Sequence, residues 1–185
     1  MGHSATCTHN KYFMKYYRYI DIDYKIILDD VQSYIKNNSS KLKSSFNNLN
    51  LADFLNSVPK FPSIFQPLNL TIKTVSVIIC NDKFGSIHLD QADCNVRINI
   101  PILNCEKSET RFFINHGTTQ IRFLENRLPW FYIDPSKCDH VDTLVLDKPA
   151  VLRVTVPHQV VAGDLFPRIS ISVRFHENID HLIDD

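Results

Sequence analysis

The sequence lacks an excess of either charge, a long apolar run and a regular cysteine pattern. Twenty basic and 20 acidic residues give a formal net charge of zero and a pI near 7.1. This balance excludes the clustered positive charge that duplex nucleic acid requires. No apolar run reaches the length of a membrane-spanning helix, and no signal peptide is recognisable. We therefore expect neither a nucleic acid nor a membrane as a partner.

The cysteines also argue against two common kinds of small protein. Their number is odd and no C-x-x-C pair occurs, which disfavours both a disulfide framework and a structural zinc site. Free thiols fit the reducing cytoplasm best. The five cysteines are Cys7, Cys80, Cys94, Cys105 and Cys138. The opening residues 1–7 are set aside as a tail, and their Met-Gly start is only a weak match to a myristoylation signal.

With 185 residues, 44% of them hydrophobic, the chain is long enough for one domain with a buried core. Residues 1–69 are predicted to form a helical and irregular segment that packs on a β domain at 70–185. Within that segment, Tyr24–Lys36 has a helical spacing of apolar residues, and Leu51–Leu55 suggests another helical turn. Three prolines, Pro59, Pro62 and Pro67, predict an extended approach to the sheet.

From Leu70 onward the sequence predicts short strands. Eight of them in about 105 residues suit a jelly roll, whose two sheets bury alternate residues between them. The predicted strands are Leu70–Cys80, Ser86–Asp90, Val96–Leu103, Thr110–Ile114, Thr119–Leu124, Thr143–Leu146, Val151–Val156 and Arg168–Phe175.

The last predicted strand has two distinct faces. Ile169, Ile171, Val173 and Phe175 make one face wholly apolar, and the alternate residues from Arg168 onward are polar. We predict that the apolar face packs beneath the N-terminal helices and that the polar face lines a pocket. The alternative is that the strand arginines simply face water.

Five polar residues in order suggest a chemistry: His88-x-Asp90, His158 and Arg168-x-Ser170. Residues at i and i+2 of a strand share a face, so the side chains of His88 and Asp90 project from one face of their strand, and those of Arg168 and Ser170 from one face of theirs. Gly163-Asp164 predicts a turn that would place His158 opposite Arg168 on the neighbouring strand. Two imidazoles and one carboxylate are the donors of a facial triad, and an arginine offers a planar fork for a carboxylate.

This ordered set resembles the Fe(II)/2-oxoglutarate-dependent dioxygenases, whose pattern reads H-x-D…H…R-x-S, over about the last 100 residues. The resemblance implies a double-stranded β-helix (a cupin-like jelly roll) in which His88, Asp90 and His158 hold iron. Arg168 and Ser170 would then bind the distal carboxylate of 2-oxoglutarate, and O₂ would be the second cosubstrate. A second H-x-D, His140-Val-Asp142, lies too close to His158 for the intervening strands.

Three further residues are candidates for the same site. The run Arg97-Ile-Asn99-Ile-Pro101 is similar to an R-x-[H/N]-x-P element of the aspartyl/asparaginyl- and prolyl-hydroxylase-like branch. There Asn99 would bind the cosubstrate and Arg97 an acidic substrate, unless both merely form the wet face of a strand. Trp130 lies in an aromatic cluster that either walls a substrate pocket or belongs to the core.

We therefore expect a hydroxylase acting on a small molecule or a protein side chain. A non-catalytic cupin-like binding or structural module is the main alternative. A third class is a metal-dependent cupin enzyme without a cosubstrate, but such sites usually use three or four histidines and would leave Arg168 and Ser170 idle. The sequence indicates neither the substrate nor the oligomeric state.

Overall fold

The computed structural model describes residues 15–90, 94–123, 127 and 129–184, and the predicted N-terminal tail with Cys7 lies outside these ranges. The chain forms two six-stranded antiparallel sheets. In chain order the strands are β1 (Tyr17–Tyr19), β2 (Phe46–Asn48), β3 (Ile72–Cys80), β4 (His88–Leu89), β5 (Val96–Leu103), β6 (Glu109–Asn115), β7 (Thr119–Phe123), β8 (Pro129–Ile133), β9 (Cys138–Val145), β10 (Ala150–Arg153), β11 (His158–Val161) and β12 (Arg168–Phe175).

The strand order identifies the fold. The first sheet runs β1-β10-β5-β12-β3-β2 and the second β7-β8-β4-β11-β6-β9. Successive strands β3, β4, β5 and β6 alternate between the sheets, and so do β9, β10, β11 and β12. This is the double-stranded β-helix predicted from the sequence. The β1 and β2 edge strands come from the N-terminal segment, and β7 and β8 extend the second sheet.

The helices cover the outer face of the first sheet. They are α1 (Leu28–Asn37), α2 (Leu51–Ser57) and α3 (His181–Asp184), together with 3₁₀ turns at Tyr24–Ile27 and Phe61–Leu68. A further 3₁₀ turn, Pro135–Lys137, joins β8 to β9 of the second sheet. Buried residues of α1 recur at helical spacing, as Val31 and Ile35 do. The side chain of Asn50 caps α2 by accepting a hydrogen bond from the backbone N–H of Asp53 at 3.1 Å.

The main core lies between these helices and the sheet. The apolar face of β12 packs there against Phe54, Phe61 and Phe65, as predicted. The Phe65 and Phe175 ring centroids are 4.9 Å apart. Burying each such ring stabilises the fold by about 1.5–3 kcal/mol. None of the helices in the described part of the chain has the length and hydropathy of a membrane span.

Two local predictions were wrong. The proline-rich stretch is a 3₁₀ helix, Phe61–Leu68, rather than an extended segment. A proline fixes only φ, near −65°, and that value suits a 3₁₀ turn as well as an extended chain. Strands β1, β2, β8 and β11 were also not predicted, because each is short or carries no alternating pattern.

The predicted pairing of His158 with Arg168 was wrong as well. β11 belongs to the second sheet and pairs with β4 and β6, whereas β12 belongs to the first and pairs with β3 and β5. The residues between the two strands therefore cross from one sheet to the other instead of closing a hairpin. In this arrangement His158 of β11 and the polar face of β12 look into the interior from opposite walls.

Candidate metal centre

The two histidines of the candidate triad meet across neighbouring strands. His88 of β4 is directly opposite His158 of β11, and their ring centroids are 4.4 Å apart. Asp90 follows β4 on the same face. One ligand atom from each of the three residues lies within 4.8 Å of the other two, and no other such cluster occurs within the described ranges.

Both imidazoles are oriented by the same backbone contact. Nδ1 of His88 donates to the carbonyl oxygen of Ser86, and Nδ1 of His158 donates to that of Val156, each at 2.9 Å. A proton on Nδ1 leaves the Nε2 lone pair of each ring free for a metal. The acceptor stands two residues before the histidine in both cases, so the strand itself sets the ligand tautomer.

The electrostatics of His158 favour the neutral ring that a metal requires. The side chain is only 6% exposed. Burial, with a smaller contribution from the adjacent His88, lowers the pKa of His158 to about 4. The imidazole is therefore unprotonated at neutral pH and able to donate its lone pair.

Asp90 is held as a carboxylate by its surroundings. Burial alone would raise its pKa, but the interaction of the carboxylate with Arg97, and with the neighbouring histidines and Arg174, outweighs burial, and the pKa lies below its ordinary value. Nη2 of Arg97 is 3.1 Å from Oδ2 of Asp90. The backbone N–H of Asp90 donates to the carbonyl of Val154 at 2.9 Å, which fixes the residue just beyond the end of β4.

These donors fit a divalent ion of the first transition series. Two imidazole nitrogens and one carboxylate oxygen form a facial triad, which suits ferrous iron and leaves positions open for other ligands. Among the described residues, no third or fourth histidine joins the cluster, although cosubstrate-free cupin enzymes would be expected to have one.

Arg168 is the largest fully buried side chain of the described residues, at 1% exposure. Its guanidinium donates to the hydroxyl of Ser170 at 2.8 Å and, less closely, to that of Ser108 at 3.3 Å. No carboxylate in the described part of the chain forms an ion pair with it. A buried cation with only neutral partners is costly, so this arrangement fits an anion brought in from solution.

Arg168 and the triad face the same interior from different sheets. Ser108 lies on the face of the second sheet that also carries Phe112, and Phe112 pairs directly with His158. Four residues separate Ser108 from Phe112, roughly 13 Å along a strand. The stretch of the second sheet from Ser108 to Phe112 therefore borders the space between the metal ligands and the guanidinium.

Asn99 lines the opposite wall of this interior. It pairs with Ser172 on β12, on the same face as Ser170. The side chain is 7% exposed and its Oδ1 has no hydrogen-bond partner within the described residues. Nε of Arg97, two residues earlier on the same face, is likewise buried without a partner. Both residues turn inward, which excludes the wet-face alternative for this strand.

Trp130 stands beside the triad. Tyr132 is directly opposite His88, so Trp130, two residues away on β8, shares the face of His88. The Trp130 and His88 ring centroids are 5.1 Å apart. The indole Nε1–H is buried without a partner within the described residues. Trp130 is thus half-buried at the edge of the site and does not belong to the main core.

Sequence reasoning missed two residues of the site. Ser108 contacts Arg168, and Phe46 of the unpredicted strand β2 lies against Arg97. Neither carried a signal in the sequence, because these contacts join distant parts of the chain. Trp130 was a candidate, although its strand, β8, was not predicted. In the rejected pair His140-Val-Asp142, His140 is exposed and Asp142 is half-buried. Nε2 of His140 is hydrogen-bonded to Thr143 Oγ1 at 2.8 Å.

Comparison with known proteins shows similarity at the level of structure. No protein-family profile matches the sequence, and no curated protein matches it. The chain is similar to the epimerase SnoN in a crystal structure of its complex with Fe³⁺, alpha ketoglutarate and nogalamycin RO. The TM-score is 0.53 and the sequence identity 13%, and the match covers 93% of this chain and 86% of that chain. A second structure is that of the non-heme alpha ketoglutarate dependent epimerase SnoN from nogalamycin biosynthesis. Its TM-score is 0.50 and its sequence identity 10%, over 93% of this chain and 85% of that chain. The chain therefore shares the double-stranded β-helix fold of SnoN.

Proposed function

We propose that this protein is an Fe(II)- and 2-oxoglutarate-dependent oxygenase that hydroxylates a small molecule or an amino-acid side chain. The observation that carries the proposal is the pairing of two features in one interior. A His-Asp-His cluster lies on one wall, and a fully buried arginine without a carboxylate partner lies on the other. The iron and α-ketoglutarate of the SnoN complex, on the same fold, support it.

In this proposal the triad residues hold the metal. His88 and His158 bind through Nε2, because their Nδ1 atoms are engaged by backbone carbonyls. Asp90 supplies the single negative charge of the triad. When bound, Fe(II) with 2-oxoglutarate and O₂ supplies oxidative decarboxylation to succinate and CO₂, coupled to oxidation of a substrate C–H bond.

The other residues bind and orient. Arg168 and Ser170 anchor the distal carboxylate of 2-oxoglutarate, since a guanidinium gives short, directional contacts to an anion. The side-chain NH₂ of Asn99 is a further donor to a carboxylate oxygen of the cosubstrate. The free indole N–H of Trp130 is available to a substrate acceptor at the edge of the site. Phe112, fully buried beside His158, helps to exclude water from the interior.

The test is succinate formation under air with Fe(II) and 2-oxoglutarate. We expect slow turnover without the true substrate, and a loss of about tenfold or more in His158→Ala. The matched control is His140→Ala, which removes an exposed histidine of the other H-x-D and should retain wild-type turnover. Equal background in wild type and His158→Ala would favour the non-catalytic binding module instead.

A second outcome at the substrate, epimerisation, is favoured by the shared fold with SnoN. Both outcomes use the same metal and cosubstrate residues, so succinate formation does not separate them. Product analysis does, once a substrate is found by succinate-coupled screening of metabolites. Hydroxylation adds one oxygen atom to the substrate, which supplies the two electrons that O₂ still needs after 2-oxoglutarate is oxidised. Epimerisation leaves the substrate mass unchanged, so those two electrons must come from an added two-electron reductant.

A further inference from the structure

The two carboxylate oxygens of Asp90 face different neighbours. Oδ1 lies 3.6 Å from Nε2 of His88, on the side of the candidate ligands. Oδ2 lies 3.1 Å from Nη2 of Arg97. A carboxylate can bind a metal through one oxygen or through both. Because Oδ2 already has a cationic partner, Asp90 is left with one oxygen for a metal.

Arg97 is fixed in place from several directions. Its strand, β5, is paired on one side with β10 and on the other with β12. The side chain is 3% exposed, and the guanidinium carbon lies 5.5 Å from the centre of the Phe46 ring. The side chain of Cys94 is a further hydrogen-bond partner. Little side-chain freedom remains, so the contact with Asp90 does not depend on the chance position of a surface arginine.

The pair also contributes to the charge of the centre, to which Arg174 adds a further positive group. With neutral imidazole ligands, Asp90 and Arg97 together carry no net charge. The pair would then leave the positive charge of a bound divalent ion unneutralised, and that charge attracts a dicarboxylate. Without Arg97, the same ion would face an uncompensated carboxylate whose second oxygen is free to take another coordination position.

We propose that Arg97 is a positioning residue that restricts Asp90 to a single-oxygen metal ligand and thereby keeps three adjacent coordination positions open. The proposal rests on the oxygenase function proposed above, because bidentate 2-oxoglutarate and O₂ together need those three positions. Arg97 acts through Asp90, and its main contact is to the metal ligand rather than to the acidic substrate expected from the sequence.

Water-proton relaxation by bound Mn(II) tests this, because it counts the exchangeable waters on the ion. Arg97→Gln should lower the relaxivity of the Mn(II)-loaded protein by about one third, as three open positions become two. The Mn(II) dissociation constant should stay the same or fall. The dissociation constant for 2-oxoglutarate, measured by calorimetry with Mn(II), should rise by about tenfold or more.

Two further variants keep the test decisive. Arg97→Lys should lie closer to wild type than Arg97→Gln does, because one cationic nitrogen suffices for Oδ2. The control Arg153→Gln removes an arginine from another aspartate pair, Arg153–Asp184, and should change neither measurement. If Arg97→Gln does not fold, a folded Arg97→Lys with wild-type relaxivity and 2-oxoglutarate affinity supports the proposal.

Three results would overturn it. One is unchanged relaxivity and 2-oxoglutarate affinity in Arg97→Gln. Another is loss of Mn(II) from Arg97→Gln as complete as from Asp90→Ala, which would make Arg97 a general structural support. The third is loss of Mn(II) from a folded Arg97→Lys. If the wild-type protein binds Mn(II) but no 2-oxoglutarate, the oxygenase function fails while the relaxivity still decides the role of Arg97.

Discussion

His88 and His158 are opposed residues of an antiparallel strand pair, with ring centroids 4.4 Å apart. Seventy positions separate them in sequence, yet each ring is held by the carbonyl two residues before it. The two rings are therefore oriented before any metal arrives. Two charged imidazoles at this distance would repel each other, which helps to keep His158 neutral.

Asp90→Ala should abolish tight metal binding. Two neutral imidazoles remain, and the only negative ligand is lost, so the affinity for Fe(II) should fall by more than the roughly 10–100-fold that loss of an outer-shell partner costs. Metal analysis after anaerobic loading measures it. Asp142→Ala, from the H-x-D outside the triad, is the matched control. An unchanged metal content in Asp90→Ala would remove Asp90 from the triad.

Arg168→Ala should weaken 2-oxoglutarate binding by about 2–5 kcal/mol, because a buried charge pair is lost. Arg168→Lys should also be impaired, since an ammonium group cannot reproduce the planar fork. Calorimetry with Mn(II) provides the measurement, and Arg111→Ala, from an ion pair with Glu109, is the control. Equal affinity in Arg168→Ala and wild type would show that the carboxylate binds elsewhere.

The fluorescence of Trp130 should report metal binding directly. Trp130 is the single tryptophan of the chain, and its ring lies beside His88. Co(II), an open-shell ion, should quench its emission in the wild-type protein, whereas closed-shell Zn(II) should not. Asp90→Ala should show no Co(II) quenching at the same concentration. Equal quenching of both proteins would place the bound Co(II) away from the triad.

Phe54→Ala should destabilise the fold by about 3–5 kcal/mol, because it leaves a cavity between α2 and the first sheet. The ring is fully buried and packs edge-on against Phe61 at 4.8 Å. Urea unfolding gives the free energy. Phe84→Ala is the control, because Phe84 is 60% exposed, and it should change stability by no more than about 0.5 kcal/mol. Similar losses from both variants would contradict the assignment of the core.

The sequence predicts those parts of the molecule that repeat a local pattern. The bounds of β5 and β12 agree with the prediction because β12 alternates apolar and polar residues over all eight positions and β5 over its first five. The candidate metal ligands could be identified because their order and spacing along the sequence form a recognisable motif. The contact of Arg97 with Asp90 could not, since the residues between them do not reveal that the two side chains turn toward each other.

Crossovers between sheets escape local reasoning for a related reason. Gly163-Asp164 is a turn signal, but a turn signal does not say whether the chain returns to the same sheet or passes to the other one. The choice depends on which strands occupy the neighbouring positions, and β11 lies between β4 and β6. The edge strands β1 and β2 are similar cases, because three residues each are too few to show a period.

The reach of Arg168 across the sandwich makes the distance along one strand a gauge of ligand length. The guanidinium is carried by the first sheet but contacts the Ser108 hydroxyl beside the second, so its distance from the candidate metal ligands follows the roughly 13 Å from Ser108 to Phe112. Filling residues such as Phe112 and Leu144 act as spacers, although neither is a proposed ligand. Trimming or enlarging a spacer would change which chain length of oxo acid spans the interior.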